Sequence, residues 1–145
     1  MKIEYNNLYT HFILITKDRY PLILTDYRLR IEKYITGIVS NHESRLYAIY
    51  ANPDHVHFLV SRSPKISEGT LITRIADSTK NFINENKLSK GSFNWQESAS
   101  AFSVSKSEID KVCKYILKQP EHHKKKSFQQ EYEEFIKFYQ QTLQW

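Results

Sequence analysis

The stretch from Asn52 to Ser61 constrains this chain most, because two histidines alternate with apolar residues along it. Such alternation predicts a β-strand, in which successive side chains point to opposite faces of a sheet. One face carries Val56, Phe58 and Val60, and the other carries His55, His57 and Leu59. Pro53 and Asp54 supply the turn before the strand. The two imidazoles therefore point the same way and can reach one ion or one phosphate.

The length and composition predict one domain over residues 1–145, since 145 residues with 40% hydrophobic content can form a core. No apolar run approaches the ~20 residues of a membrane-spanning helix. The first seven residues lack the apolar segment of a signal peptide. A single cysteine, Cys113, excludes an internal disulfide and fits a reducing compartment. We therefore expect a cytoplasmic protein that does not contact a membrane.

The charge and the aromatic content favour a polyanionic partner. The formal net charge is +5, and 14% of the residues are Phe, Trp or Tyr. Most of the aromatic residues are expected in the core. Rings interspersed with Lys and Arg are also what single-stranded nucleic acid requires, because bases stack on rings and phosphates pair with cations.

Hydrophobic periodicity predicts an α+β fold with the element order β-α-β-β-α-β. Apolar spacing of two indicates strands, and spacing of three and four indicates helices. The predicted strands span 8–15, 45–51, 55–61 and 101–105, and the predicted helices span 26–40 and 67–84. This order is that of a ferredoxin-like antiparallel sheet with helices on one face. The predicted core covers about residues 8–105.

Two further helices are predicted after the sheet. A capping box, Ser105–Glu108, opens a helix over about 106–119, and Pro120 disfavours helical geometry in the residue before it. After a charged connector, a second capping box at 127–130 opens a last helix over about 128–139. In the first of these helices, Tyr115 and Gln119 are four residues apart and are expected on one face. Their side chains offer a phenol oxygen as a nucleophile and an amide oxygen as a metal ligand.

Together, these motifs resemble the HUH single-tyrosine transposases, the small single-strand transposases of one group of insertion sequences. The resemblance is carried by His55-Val56-His57 and by Tyr115 with Gln119. It extends over Tyr9–Ile13, Thr16–Arg19, Phe93–Gln96, Ala101–Ser105 and His122–Lys125, and so from about Tyr9 to the C-terminus. One departure is Glu97–Ser100, which stands where relatives tend to have a Gly-Tyr-Gly run. We expect this change to affect substrate contact or loop mobility rather than chemistry.

The resemblance implies a specific chemistry. His55, His57 and Gln119 would hold one divalent cation, Mg²⁺ or Mn²⁺, against the scissile phosphate. Tyr115 would attack the phosphate, forming a 5′-phosphotyrosine and releasing a 3′-hydroxyl without ATP. The partner would be single-stranded DNA with hairpin-forming element ends. The resemblance also implies a homodimer in which Tyr115 of one chain completes the histidine site of the other, whereas a monomer with the helix in cis is the alternative.

Further residues are candidates for DNA contact. Five of these candidates are basic residues predicted near strand ends or on helix faces: Lys17, Arg19, Arg62, Arg74 and Lys80. Trp95 can stack on a base or close the core. His122 and His123 are not expected as additional ligands, because adjacent residues on a connector point apart.

Three alternatives to an active transposase stay open on the sequence. The first is a domesticated HUH nuclease that acts on hairpin repeats or initiates replication. The second is a non-catalytic DNA-binding module of the same fold, which the presence of all four site residues argues against. The third is a structural zinc on His55 and His57, although zinc sites usually have Cys or more His nearby.

Overall fold

The computed structural model describes residues 1–123 and 127–142 and contains a four-stranded antiparallel sheet with helices on both faces. The elements are β1 (Tyr9–Ile15), α1 (Arg28–Asn41), β2 (Arg45–Ala51), β3 (His55–Ser61), α2 (Glu68–Glu85), β4 (Ser100–Val104), α3 (Ile109–Leu117), α4 (Gln119–His123) and α5 (Phe128–Thr142). Short 3₁₀ turns cover Lys17–Arg19, Thr25–Tyr27 and Lys106–Glu108. The strand order is β2-β3-β1-β4. This arrangement confirms the predicted ferredoxin-like βαββαβ fold.

The sheet register determines which residues surround the two histidines. Strands β1 and β3 pair antiparallel, with Ile13 opposite His57 and Ile15 opposite His55. Because side chains alternate along a strand, His11 lies on the same face as these four residues. The central position of β1 and β3 in the sheet therefore places the histidines in the interior rather than at an edge.

The two faces of the sheet are covered by different helices. Helices α1 and α2 pack on the first face, where they form the larger core with Phe12, Val56, Phe58 and Val60. On the opposite face, Leu59 packs with Ile116 of α3. Tyr132 of α5 packs against Ile13 and Ile15 on this same face. The predicted alternation of β3 is therefore realised, with one face in the core and the other beneath the C-terminal helices.

The predicted capping box of the helix around Tyr115 is absent and its predicted end is wrong, although helical geometry begins at the predicted residue, Lys106. The Ser105 hydroxyl forms no backbone cap and pairs with Ser107 Oγ at 3.2 Å, and a 3₁₀ turn precedes α3. Helix α3 ends at Leu117, because Lys118 leaves helical geometry (φ −98°, ψ 17°). Gln119 then begins α4, with Pro120 in the first turn, where the missing N–H of proline is not needed. Tyr115 and Gln119 consequently lie on two separate helices.

The second predicted capping box is present. Ser127 Oγ accepts a hydrogen bond from the Gln130 amide at 3.3 Å, and Gln130 Oε1 accepts one from the Ser127 amide at 3.3 Å. Helix α5 extends three residues beyond its predicted end at 139, to Thr142. The capped start of α5 places Glu131 in its first turn, directed toward the sheet.

Among the helices in residues 1–123 and 127–142, none is long and apolar enough to cross a membrane.

Candidate nucleophile and metal site

The two histidines of β3 are buried side by side, with ring centroids 5.1 Å apart. His55 Nδ1 lies 2.6 Å from Asp54 Oδ1. A carboxylate oxygen only accepts, so the proton of the neutral ring is on Nδ1 and Nε2 is an acceptor. This contact fixes the His55 tautomer that a cation requires.

His57 is oriented by a third histidine on the neighbouring strand. His57 Nδ1 lies 3.0 Å from Nε2 of His11, a fully buried residue. Burial lowers the pKa of His11 to about 3, so this ring is neutral near pH 7. When His57 donates its Nδ1 proton to His11, His57 Nε2 is an acceptor that faces the site. His11 belongs to the first-strand motif of the sequence, but no pattern there indicates its contact with His57.

Gln119 completes a set of converging acceptors. Its side chain is buried, and Nε2 donates to Glu131 Oε1 at 3.0 Å. Its Oε1 therefore faces the other way and accepts from Asn52 Nδ2 at 3.3 Å. The same Asn52 nitrogen lies 3.1 Å from His55 Nε2. The amide oxygen of Gln119 and Nε2 of His55 thus both face the Asn52 amide nitrogen.

Tyr115 lies at the edge of this group. Its ring is edge-on to His57 of the same chain, with centroids 5.8 Å apart and an interplanar angle of 84°. The phenol hydroxyl donates to Glu131 Oε1. The four site residues predicted from the sequence are therefore brought together within one chain, in cis.

Glu131 is a site residue that sequence reasoning missed. It is 6% exposed, and its Oε1 contacts Tyr115 and Gln119 and lies 3.7 Å from His57 Nε2. Burial raises its pKa to about 7, and the nearby Asp54 and Glu134 carboxylates add to the shift. In the sequence Glu131 is one of three glutamates in an amphipathic helix, and no local signal separates it from the other two.

The donor set fits a divalent cation. No three His, Cys, Asp or Glu side chains in residues 1–123 and 127–142 group together to hold a metal ion. The Gln119 amide oxygen, on the same side of the sheet as His55 and His57, is of the type that could serve as a third ligand beside them. Two imidazoles and a hard oxygen suit Mn²⁺ well and Mg²⁺ less so.

The basic candidates for DNA contact fall into three groups. Lys17 and Arg19 follow β1 at the sheet end near His55, and Arg19 lines a cavity of about 540 Å³ that His55 also lines. Arg62 is paired with Glu68 at 2.8 Å and donates to a backbone carbonyl at 2.5 Å, which favours a structural role. Arg74 and Lys80 belong to α2, on the sheet face opposite the histidines. The side chains of His122 and His123 lie outside the described residues.

Trp95 is a core residue in this structure, which favours the second of its two predicted roles, closing the core, over stacking on a base. The side chain is 6% exposed and packs edge-on to Phe93 with centroids 4.7 Å apart. Its Nε1 donates to the Ala76 carbonyl at 3.1 Å. A ring enclosed in this way presents no face to a base.

The chain belongs to the family described as transposase IS200 like, whose family profile matches residues 4–119. Among curated proteins, none matches the chain. It is similar to a solved protein of Deinococcus radiodurans R1 assigned as a transposase, with 19% identity, a TM-score of 0.63, and coverage of 82% of this chain and 96% of that one. It is also similar to a REP-associated tyrosine transposase bound to a REP hairpin, with 13% identity and a TM-score of 0.62. That match covers 85% of this chain and 72% of that one. At these identities the two structures show the fold, and the family match shows a DNA-processing enzyme of the transposase type.

The core position of Trp95 predicts an effect on stability rather than on DNA binding. Trp95→Leu should lower the free energy of unfolding. The loss should be smaller than the about 3–5 kcal/mol that truncation of a buried tryptophan to alanine costs. The affinity of the folded variant for single-stranded DNA should stay unchanged in fluorescence anisotropy. An affinity loss of about 1–3 kcal/mol with unchanged stability would instead mean that Trp95 stacks on a base.

The His11–His57 contact predicts a role for His11 in metal affinity. His11→Phe fills the site but removes the acceptor that holds the His57 tautomer, so Mn²⁺ affinity should fall by roughly tenfold or more. Calorimetric titration measures this change, and His42→Ala at the end of α1 is the matched control. Equal Mn²⁺ affinity in wild type and His11→Phe would contradict the orienting role.

Proposed function

We propose that this protein cuts and rejoins single-stranded DNA with Tyr115 as the nucleophile and a divalent cation on His55, His57 and Gln119. One observation carries the proposal: the Tyr115 hydroxyl, the Gln119 amide and the His57 ring meet at a single carboxylate, that of Glu131. The family resemblance assigns a tyrosine, a pair of histidines and a glutamine amide to the cutting and rejoining of DNA. The family match to the IS200-like transposases supports the reaction class.

The reaction exchanges one phosphodiester for another. The Tyr115 oxygen forms a bond to phosphorus, and the bond from phosphorus to the 3′ oxygen breaks. The hydroxyl proton passes to Glu131 Oε1, which already accepts a hydrogen bond from it. The leaving 3′ oxygen takes up a proton, which yields a 5′-phosphotyrosine and a 3′-hydroxyl. When bound, the cation neutralises charge on the phosphate.

The reversibility of this exchange suits transposition. The phosphotyrosine retains the energy of the cleaved bond, so no ATP is consumed. A 3′-hydroxyl from a second DNA end can attack the phosphotyrosine and be joined. The substrate would reach the site past Lys17 and Arg19 at the end of β1, where cations can pair with phosphates. An enzyme that acts on element DNA in this way would work in the cytoplasm.

A nuclease that acts on hairpin repeats is the second candidate. The observation that favours it is the similarity to a tyrosine transposase solved with a REP hairpin. The two candidates use the same chemistry and differ in the DNA they recognise. Short palindromes at both ends of the surrounding element would support transposition, whereas dispersed hairpin repeats would support the nuclease.

The nucleophile is tested by Tyr115→Phe, which removes one oxygen. Cleavage of labelled single-stranded end DNA with Mn²⁺ should fall to the background of a reaction without protein. Folding should survive, because losing one hydrogen bond changes the free energy of unfolding by about 1 kcal/mol. Tyr132→Phe on α5 is the matched control and should keep cleavage. A covalent protein–DNA product from Tyr115→Phe as abundant as that of wild type would refute the assignment.

We also propose a homodimer in which Tyr115 completes the histidine site of the partner subunit during strand exchange. Two features support exchange of α3: it follows the short strand β4, and the backbone leaves helical geometry at Lys118. Two element ends have to be cut and exchanged, and swapped helices can carry bound ends between sites.

Complementation tests this assembly. Tyr115→Phe and a His55→Ala/His57→Ala double variant should each be inactive alone. After subunit exchange, mixed dimers hold one intact composite site if Tyr115 acts in trans, so cleavage should partly return. A dimer by ultracentrifugation that recovers no cleavage would show that Tyr115 acts in cis.

A further inference from the structure

Asn52 lies between two of the acceptors assigned to the cation, those of His55 and Gln119. Its side chain is 4% exposed, and Nδ2 lies 3.1 Å from His55 Nε2 and 3.3 Å from Gln119 Oε1. Its backbone amide donates to the His55 carbonyl at 2.8 Å, which holds Asn52 at the turn between β2 and β3. The Asn52 amide group therefore contacts two of the three groups that would hold the ion.

The orientation of the Asn52 amide follows from its neighbours. Asp54 accepts the Nδ1 proton of His55, so His55 Nε2 presents a lone pair. Glu131 accepts from Gln119 Nε2, so Gln119 presents its oxygen. Two acceptors facing one point require a donor there, and the NH₂ group of Asn52 supplies it. Turning the Asn52 oxygen to this point would set its lone pairs against those of the two acceptors, which is unfavourable without a cation.

We propose that Asn52 is a fourth protein ligand of the cation, a role that rests on the proposed function. A cation held by His55 and Gln119 would repel the N–H groups of Asn52 and attract its oxygen. A half-turn of the amide about the Cβ–Cγ bond exchanges Oδ1 for Nδ2 and needs no movement of the backbone. The ligand set becomes two nitrogens and two oxygens, and the added hard oxygen favours Mn²⁺ and Mg²⁺.

The opposite role for Asn52 is that of a placeholder that competes with the cation. In that case its NH₂ group stabilises the two acceptors only in the metal-free protein and has to leave when the cation binds. The two roles predict opposite changes in affinity when the amide is removed, so the sign of the change separates them.

Calorimetric titration of the DNA-free protein with Mn²⁺ tests the proposal. Asn52→Ala should weaken Mn²⁺ binding by roughly tenfold or more, because an oxygen ligand is lost. Asn52→Asp should bind at least as tightly as wild type, because a carboxylate is the stronger hard ligand. Tighter binding by Asn52→Ala, or unchanged binding in both variants, would overturn the proposal. Asn86→Ala, at the end of α2, is the matched control.

Two additional measurements keep the result interpretable. Circular dichroism establishes that each variant is folded, and Asn52→Asp retains the shape of the side chain should Asn52→Ala fail to fold. His57→Ala separates this proposal from the proposed function. If His57→Ala still binds Mn²⁺, the metal site lies elsewhere and the proposed function fails. If His57→Ala loses Mn²⁺ binding but Asn52→Ala binds Mn²⁺ with wild-type affinity, only the role of Asn52 as a ligand is refuted.

Discussion

The burial of both faces of β3 is the constraint on which the rest of the structure depends. Val56, Phe58 and Val60 are fixed in the core beneath α1 and α2, so the strand cannot slip by one residue without exchanging its faces. His55 and His57 are thereby held on the other face, away from bulk water. Buried polar groups have to be paired. Their partners come from the surrounding elements, and these pairings determine which atoms point into the site.

Those pairings converge on two side chains of different character. The Glu131 carboxylate accepts hydrogen bonds from two donors, the Tyr115 hydroxyl and the Gln119 amide nitrogen. The Asn52 amide nitrogen donates to two acceptors, His55 Nε2 and Gln119 Oε1. Gln119 joins the two groups because one end of its amide donates and the other accepts. An amide is thus the side chain that fits both, and a carboxylate at position 119 would oppose Glu131.

The sequence predicted the elements that depend on local periodicity and missed the contacts that depend on tertiary packing. Strand β2 has its predicted bounds, because alternating residues between turn signals define it locally. The end of α3 was misplaced because Pro120 is compatible with the first turn of a new helix, which the rule for residues before proline does not anticipate. Trp95 was ambiguous in sequence, since a tryptophan in a loop can be buried or exposed. Glu131 and Asn52 carry no local signal, because their partners in the site are distant in sequence: Glu131 lies 74 residues from His57, and Asn52 lies 67 residues from Gln119. The composition of the site therefore became apparent only with the fold.

The break at Lys118 has a mechanical consequence. Tyr115 belongs to α3, whereas Gln119 begins α4 and contacts Asn52 beside the sheet. The residue that would carry a DNA strand and the amide that would hold the ion thus belong to two helices that meet at one non-helical residue, and the Glu131 carboxylate contacts both. A change of backbone angles at Lys118 would reposition the Tyr115 hydroxyl relative to Gln119 without unwinding either helix. A continuous helix through residue 119 would couple every movement of the tyrosine to the amide ligand.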